Sequence, residues 1–121
     1  ELWRKNFSEE EHLLPLTLTV KGERVYYQSS RVVACLDAKS GTVVYGPETT
    51  REGIVSASPI ISEGRMYILN ESGVTTVVAT GPEFKILATS ELDGSYTLAS
   101  PAVSGKQIFI RTETHLYCIS E

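Results

Sequence analysis

The sequence contains one unit three times, and this repetition limits the folds that the chain can adopt. Residues 57–68 return in altered form as residues 99–110, and a fainter copy occupies residues 17–27. Each copy is a short apolar run, a polar turn containing glycine, and a run of β-branched and aromatic residues, which is typical of a β-hairpin. Pro59 and Pro101 are 42 residues apart. A repeat of this length in an all-β pattern predicts a propeller in which each repeat forms one four-stranded blade.

The predicted outer strands keep the same period and set the blade boundaries. Trp3, Tyr45 and Leu87 are spaced by 42 residues each. We predict a single all-β propeller segment over residues 1–121, with an outer strand at 1–7 and about three blades of four antiparallel strands. The blades are placed at residues 13–46, 57–88 and 98–120, the last being completed by another outer strand. Because closed propellers typically use about four to eight blades, the chain is expected to be a fragment of a larger propeller or a self-completing oligomer.

Residues 35–45 carry the most informative single motif. A strand leads into a tight turn containing Asp37, Ser40 and Gly41, and a second strand follows with Tyr45. Asp and Ser side chains bond nearby backbone amides in turns, and glycine adopts a positive φ without steric cost. We therefore interpret Asp37 as the anchor of this turn, with a role in stability.

This motif resembles the pyrroloquinoline-quinone-type propeller repeat, whose turn usually reads Ala-x-Asp-x-x-Thr-Gly-x-x-x-Trp. The residues that match it, together with the prolines that open two strands, are Trp3, Cys35, Asp37, Ser40, Gly41, Tyr45, Pro59 and Pro101. Leu87 departs from the pattern because it replaces the aromatic residue. The resemblance implies that the aromatic side chains dock between neighbouring blades.

The resemblance also implies two alternative functions. One branch of the family contains quinone-dependent dehydrogenases, which carry an adjacent Cys-Cys pair and a set of calcium ligands. Another contains cofactor-free scaffolds, including a lipoprotein that assists outer-membrane barrel assembly. Here Cys35 and Cys118 are not adjacent, and the only aspartates are Asp37 and Asp93. We favour a non-catalytic scaffold or protein-interaction module without a cofactor. The alternative is a fragment of a quinone-dependent dehydrogenase, with pyrroloquinoline quinone and calcium bound elsewhere. A bacterial periplasmic or extracellular location is implied by the resemblance only.

Charge and hydropathy narrow the class of partner. The 121 residues carry a net charge of −4 with both signs interspersed, whereas nucleic-acid binding requires a basic stripe. No window approaches the ~18 consecutive apolar residues of a membrane span. We expect a protein partner or self-association through blade edges, not nucleic acid or a bilayer. Polar connections are predicted at residues 8–12, 46–56 and 89–97 and are expected on one face. They supply the candidate binding residues Glu9, His12, Glu48 and Arg51.

Most other reactive or large side chains are assigned to packing. Cys35 and Cys118 occupy equivalent positions in two repeats, too far apart for a disulfide, and both are expected to be buried and unpaired. His115 is expected to pack or to form a hydrogen bond. Residues 13–20 are expected to form a strand that is buried on both faces.

Overall fold

The computed structural model describes residues 3–4, 17–28, 32–50 and 57–120. All regular secondary structure in these ranges is β, which confirms the predicted all-β class. The eleven strands are β1 (Thr17–Lys21), β2 (Arg24–Gln28), β3 (Val32–Asp37), β4 (Val43–Thr49), β5 (Ile60–Ser62), β6 (Arg65–Leu69), β7 (Val74–Ala79), β8 (Ile86–Glu91), β9 (Ala102–Ser104), β10 (Gln107–Arg111) and β11 (Leu116–Ser120).

The strands form three antiparallel meanders, each in chain order. Blade one is the sheet β1-β2-β3-β4, blade two is β5-β6-β7-β8, and blade three is β9-β10-β11. The first strands of successive sheets are in contact, β1 with β5 and β5 with β9. The sheets are therefore joined at their inner strands, and the later strands of each sheet lie progressively further out.

Two prolines stand where two of the inner strands begin. Pro59 and Pro101 are buried and directly precede β5 and β9. Proline has no amide hydrogen to donate to a ladder, so in sheets it is confined to positions such as the start of a strand. The repeated proline thus marks the same structural position in blades two and three.

The turn between β3 and β4 is built around the carboxylate of Asp37. Its Oδ1 accepts hydrogen bonds from the amides of Lys39 (3.0 Å) and Ser40 (2.9 Å) and from the Ser40 hydroxyl (3.0 Å). The Gly41 amide donates to the Asp37 carbonyl at 2.8 Å, and Gly41 has a φ of 73°. The bonds from Ser40 hold the pKa of Asp37 below its ordinary value, because they favour the ionised form.

Two strand expectations differ from the structure. β4 and β8 run on to Thr49 and Glu91, which pair with β3 and β7, so residues 46–49 and 89–91 are strand and not loop. The expectation that the first inner strand is buried on both faces is wrong for its described part. Leu18 and Val20 are 61% and 58% exposed, because no further sheet packs on that side of blade one in the described residues.

Candidate interaction surfaces

Blades one and two pack through a continuous apolar core. The leading face of blade one, the side towards blade two, presents Tyr26, Val33, Cys35 and Tyr45; the trailing face of blade two presents Met66, Ile68 and Val78. These seven side chains form one buried cluster, each at most 8% exposed. The alternation of side chains along each strand explains why one face of a sheet serves one neighbour and the opposite face serves the other.

On each face of blade one, a hydrogen bond to the backbone carbonyl of a turn joins the blade to the residues that pack there. The Tyr26 hydroxyl (2.6 Å) and the Arg24 guanidinium (2.8 Å) both donate to the carbonyl of Thr80 in blade two. On the other side, the indole N–H of Trp3 donates to the carbonyl of Ala38 at 2.9 Å. Ala38 and Thr80 follow β3 and β7 at equivalent positions, 42 residues apart. Trp3 therefore occupies, against blade one, the place of an outer residue of a preceding blade.

The core between blades one and two contains polar atoms that are only partly satisfied. The ring of Tyr45 lies 5.7 Å from that of Phe84 and 6.4 Å from that of Tyr26, centroid to centroid. Among the described residues, neither the Tyr45 hydroxyl nor Gln28 Oε1 has a hydrogen-bond partner, although the Gln28 amide nitrogen donates to the Ala57 carbonyl at 2.8 Å. Burial raises the pKa of the Tyr45 hydroxyl, because the charged form is poorly solvated there.

The same desolvation acts on two further groups of this core. It raises the pKa of the Tyr26 hydroxyl and of the Cys35 thiol. Cys35 is thus an inert, buried thiol, as the sequence predicted, in contrast to the low-pKa exposed cysteines that act as nucleophiles.

A groove lies between blades two and three, at the position where blades one and two are joined by a packed apolar core. The groove has a volume of about 420 Å³, and Tyr67, Val77 and Leu87 line it from blade two. Ile108 and Ile119 line it from blade three. Leu87 stands 42 residues after Tyr45, so the smaller side chain takes the place of an aromatic ring that fills the first junction.

The leading face of blade three is uncovered. Phe109 pairs with Cys118 across the sheet as Tyr26 pairs with Cys35 in blade one, and Leu116 lies on the same face as Cys118. Leu116 is 72% exposed and Cys118 is exposed and free. The prediction that both cysteines are buried is therefore wrong for Cys118. The reason is that its neighbours depend on a blade that the described residues do not contain.

At one end of the blades, a polar cluster joins the blade two-to-three connection to a turn of blade three. Asp93 Oδ2 lies 3.1 Å from His115 Nδ1, and Asp93 Oδ1 accepts a 2.6 Å bond from the Ser95 hydroxyl. Thr114 Oγ1 lies 2.8 Å from His115 Nδ1 and 3.1 Å from the Ser95 hydroxyl. Ser95 and Tyr117 hold the pKa of Asp93 well below its ordinary value. His115 is thus hydrogen-bonded in an exposed cluster and does not pack in a core.

Main-chain bonds hold this connection in place from both sides. The Leu92 and Thr97 amides donate to the carbonyls of Gly73 (3.3 Å) and Glu71 (2.9 Å), within blade two. The Glu113 amide of blade three donates to the carbonyl of Tyr96 at 2.8 Å. We call this end, with the connection at residues 92–101 and the β6–β7 and β10–β11 turns, the loop face. The cluster of Asp93, Ser95, Thr114 and His115 on the loop face was not predicted from the sequence. The available clue was the repeat period, which places Asp93 beside a turn of the following blade.

Of the four candidate binding residues, the structure describes Glu48 alone. Glu48 lies near the end of β4, opposite Val33, and is half-buried. Glu9, His12 and Arg51 lie outside the described residues. Among the residues that are described, no group of three or more His, Cys, Asp or Glu side chains is arranged to hold a metal ion. The described part of the chain also has no helix with the length and hydrophobicity needed to cross a bilayer.

Comparison with known proteins assigns the fold and leaves the sequence family open. No protein-family model matches the chain, and a search of curated proteins finds no match. Among solved structures, the chain is similar to the crystal structure of BamB from Moraxella catarrhalis, with a TM-score of 0.60 and 14% sequence identity. The similarity covers 85% of this chain and 31% of the BamB chain, so the chain spans about a third of that protein.

At this level of identity the likeness shows the fold alone. Together with the three stacked meanders, it makes the chain an all-β protein built of β-propeller blades.

Proposed function

We propose that the chain is part of a non-catalytic β-propeller scaffold of the pyrroloquinoline-quinone-type repeat, which binds a protein partner through its loop face. The observation that carries this proposal is the bonding of the loop face to its blades. The connection containing Leu92 and Thr97 is held by main-chain bonds to two different blades. A binding surface positioned by a rigid scaffold loses less entropy on association than a mobile loop does.

The turn chemistry supports the assignment to this repeat type. Asp37 bonds the Ser40 amide and hydroxyl, Gly41 takes the positive φ, and Trp3 packs on that turn. The combination matches the aspartate, hydroxyl, glycine and docking aromatic of the repeat. The similarity to the BamB structure supports the propeller fold of the proposed scaffold.

A photo-crosslinking experiment tests whether a protein partner binds to the loop face. p-Benzoylphenylalanine replaces Tyr96 on the loop face, where the side chain is 47% exposed, or Lys39 at the opposite end of the blades as the matched control. Irradiation in an extract of the source cells is expected to give a discrete protein adduct from position 96 and none from position 39. The variant Glu48→Lys is expected to weaken that adduct. Equal adducts from both positions, or none from position 96, would overturn the proposal.

A spectroscopic titration separates the scaffold from the dehydrogenase alternative. The full-length protein is mixed with pyrroloquinoline quinone and calcium, because the alternative places the cofactor outside this chain, and the absorbance of the quinone is followed after removal of free ligand. A scaffold of the proposed kind is expected to retain none of the quinone. Stoichiometric retention of the quinone would contradict a cofactor-free role.

A further inference from the structure

A small pocket lies on the loop face, between the connection at residues 92–101 and blade three. Its volume is about 190 Å³, and it is open to solvent. Tyr96, Leu98 and Ala99 line it from the connection, and Arg111 and Glu113 line it from blade three. Two of the apolar lining residues are exposed, Tyr96 at 47% and Leu98 at 55%. The pocket therefore offers apolar surface at the end of the blades that is proposed to bind a partner.

Hydrogen bonds within the protein fix the walls of this pocket. The Thr97 hydroxyl donates to the carbonyl of Arg111 at 2.6 Å, and the Glu113 amide donates to the carbonyl of Tyr96 at 2.8 Å. The Thr97 hydroxyl also accepts a 3.2 Å bond from the amide of Ala99. The first two bonds join the connection to blade three. Because these walls are already held in place, a partner that fills the pocket orders little additional chain on binding.

The size of the pocket selects the kind of group that fits. Sites for whole small-molecule ligands have volumes of about 300–1,000 Å³, so a pocket of about 190 Å³ is smaller than a typical ligand site. An apolar cavity of about 150 Å³ is large enough to hold one benzene molecule. The pocket therefore has room for a single aromatic ring, such as the side chain of Phe.

The lining of the pocket favours an aromatic ring over an aliphatic side chain. A bound ring would contact the ring of Tyr96, and pairs of aromatic rings attract one another beyond the burial of their area. The side chain of Arg111 lines the same pocket, and a guanidinium group attracts the face of an aromatic ring. At protein interfaces, aromatic side chains seated in such pockets supply much of the binding energy.

We propose that an aromatic side chain of the protein partner occupies this pocket and anchors the complex at the loop face. The inference rests on the proposed function, because it names the chemistry of the partner at the surface proposed to bind one. It makes Tyr96, Leu98 and Arg111 the residues that select the partner. All lining residues of the pocket belong to the part of the chain that the structure describes.

A titration with a small probe tests the pocket without the partner. The probe is N-acetylphenylalaninamide, and N-acetylleucinamide is the control that lacks a ring. The amide resonances of Thr97, Ala99 and Glu113 are followed by NMR. The phenylalanine probe is expected to shift them saturably with a Kd of about 1 mM, which suits a ligand of this size. The leucine control is expected to bind about fivefold more weakly, because it loses the contact between rings.

Two lysine variants separate the pocket from the general surface. Leu98→Lys places a charge in the pocket and is expected to weaken binding of the phenylalanine probe by about tenfold. Val43→Lys, on the outer strand of blade one, is the matched control and is expected to leave the affinity unchanged. Leu98 and Val43 are 55% and 52% exposed, so both variants are expected to fold, and circular dichroism checks this.

The photo-crosslink at position 96 then tests the pocket in the complex. In the protein that carries p-benzoylphenylalanine at this position, Leu98→Lys is expected to reduce the partner adduct by about fivefold, and Val43→Lys to leave it unchanged. Absence of saturable shifts, equal affinity of the two probes, or an adduct that is insensitive to Leu98→Lys would overturn the proposed anchor. An insensitive adduct would still support a partner at the loop face, whereas absence of any adduct would overturn the proposed function, so the two failures are distinguishable.

Discussion

The close approach of Trp3 to Gly41 makes a quantitative prediction about the substitution Gly41→Ala. A Cβ atom at Gly41 would lie 2.6 Å from Cδ2 of the indole, well inside van der Waals contact. Gly41 also has a φ of 73°. The substitution is therefore expected to destabilise the protein through two separable effects, backbone strain and displacement of the indole.

The magnitudes follow from a second glycine that shows only one of the effects. Gly22 has a φ of 60°, and a Cβ there meets nothing within 4 Å. Gly22→Ala is expected to cost about 1–2 kcal/mol, the cost of a left-handed conformation. Gly41→Ala has the same strain and must move an indole that donates to Ala38. Loss of that hydrogen bond adds about 0.5–1.5 kcal/mol and lost packing adds to it, giving a total of about 2–4 kcal/mol.

A double-mutant cycle measures the indole contribution directly. Urea unfolding is followed by far-UV circular dichroism for Gly22→Ala, Gly41→Ala, Trp3→Ala and the pair Trp3→Ala with Gly41→Ala. In the Trp3→Ala background, Gly41→Ala is expected to cost no more than Gly22→Ala, with a coupling of about 1–2 kcal/mol. Equal costs for the two glycines in the Trp3 background, or additive effects of Trp3→Ala and Gly41→Ala, would refute the reasoning.

Three further predictions concern buried and exposed side chains of the blades. Tyr45→Phe removes a buried hydroxyl that has no partner among the described residues, and it is expected to be neutral or to stabilise by up to about 1 kcal/mol. Tyr26→Phe loses the bond to Thr80 and is expected to cost about 1 kcal/mol. Chemical denaturation checks both, and the reverse order would contradict the hydrogen-bond assignment. Cys118 is expected to react with a thiol reagent at the rate of an exposed cysteine, while Cys35 stays unmodified until the protein unfolds. Labelling of both cysteines at the same rate would contradict the burial of Cys35. Folding raises the pKa values of Tyr26 and Tyr45, so their contribution to stability is complete below their unfolded pKa of about 10 and is lost as the pH rises above it. Unfolding midpoints are therefore expected to fall above pH ~10, and to fall less steeply in Tyr45→Phe. A wild-type midpoint that does not depend on pH in this range would contradict burial of the hydroxyls.

The sequence predicted the features that depend on short-range chemistry. The turn at Asp37 and Gly41 is set by bonds between residues at most four positions apart, so the residue types alone indicate it. The hairpins around residues 57–68 and 99–110 follow from alternating apolar residues and a glycine turn. The repeat period then ordered these pieces into blades without any knowledge of how the blades pack.

The features that failed prediction depend on which neighbour covers a face. Cys35 and Cys118 lie at equivalent positions of the repeat, and each pairs with an aromatic residue of the preceding strand, yet one is buried and the other exposed. Likewise, the apolar residues Leu18 and Val20 were predicted to be buried, but their burial depends on a preceding blade that would cover this face. The pair Asp93 and His115 is 22 residues apart, and only the stacking of blade three on blade two brings it together.

The bonds to Ala38 and Thr80 have a consequence for how these blades diverge. Both junctions are joined through a backbone carbonyl, which every amino acid supplies, and not through the side chain at that position. The side chains of Ala38 and Thr80 therefore take no part in these hydrogen bonds. Substitution at these two positions is expected to cost little stability, so charge and shape there can change while the order of the blades is preserved.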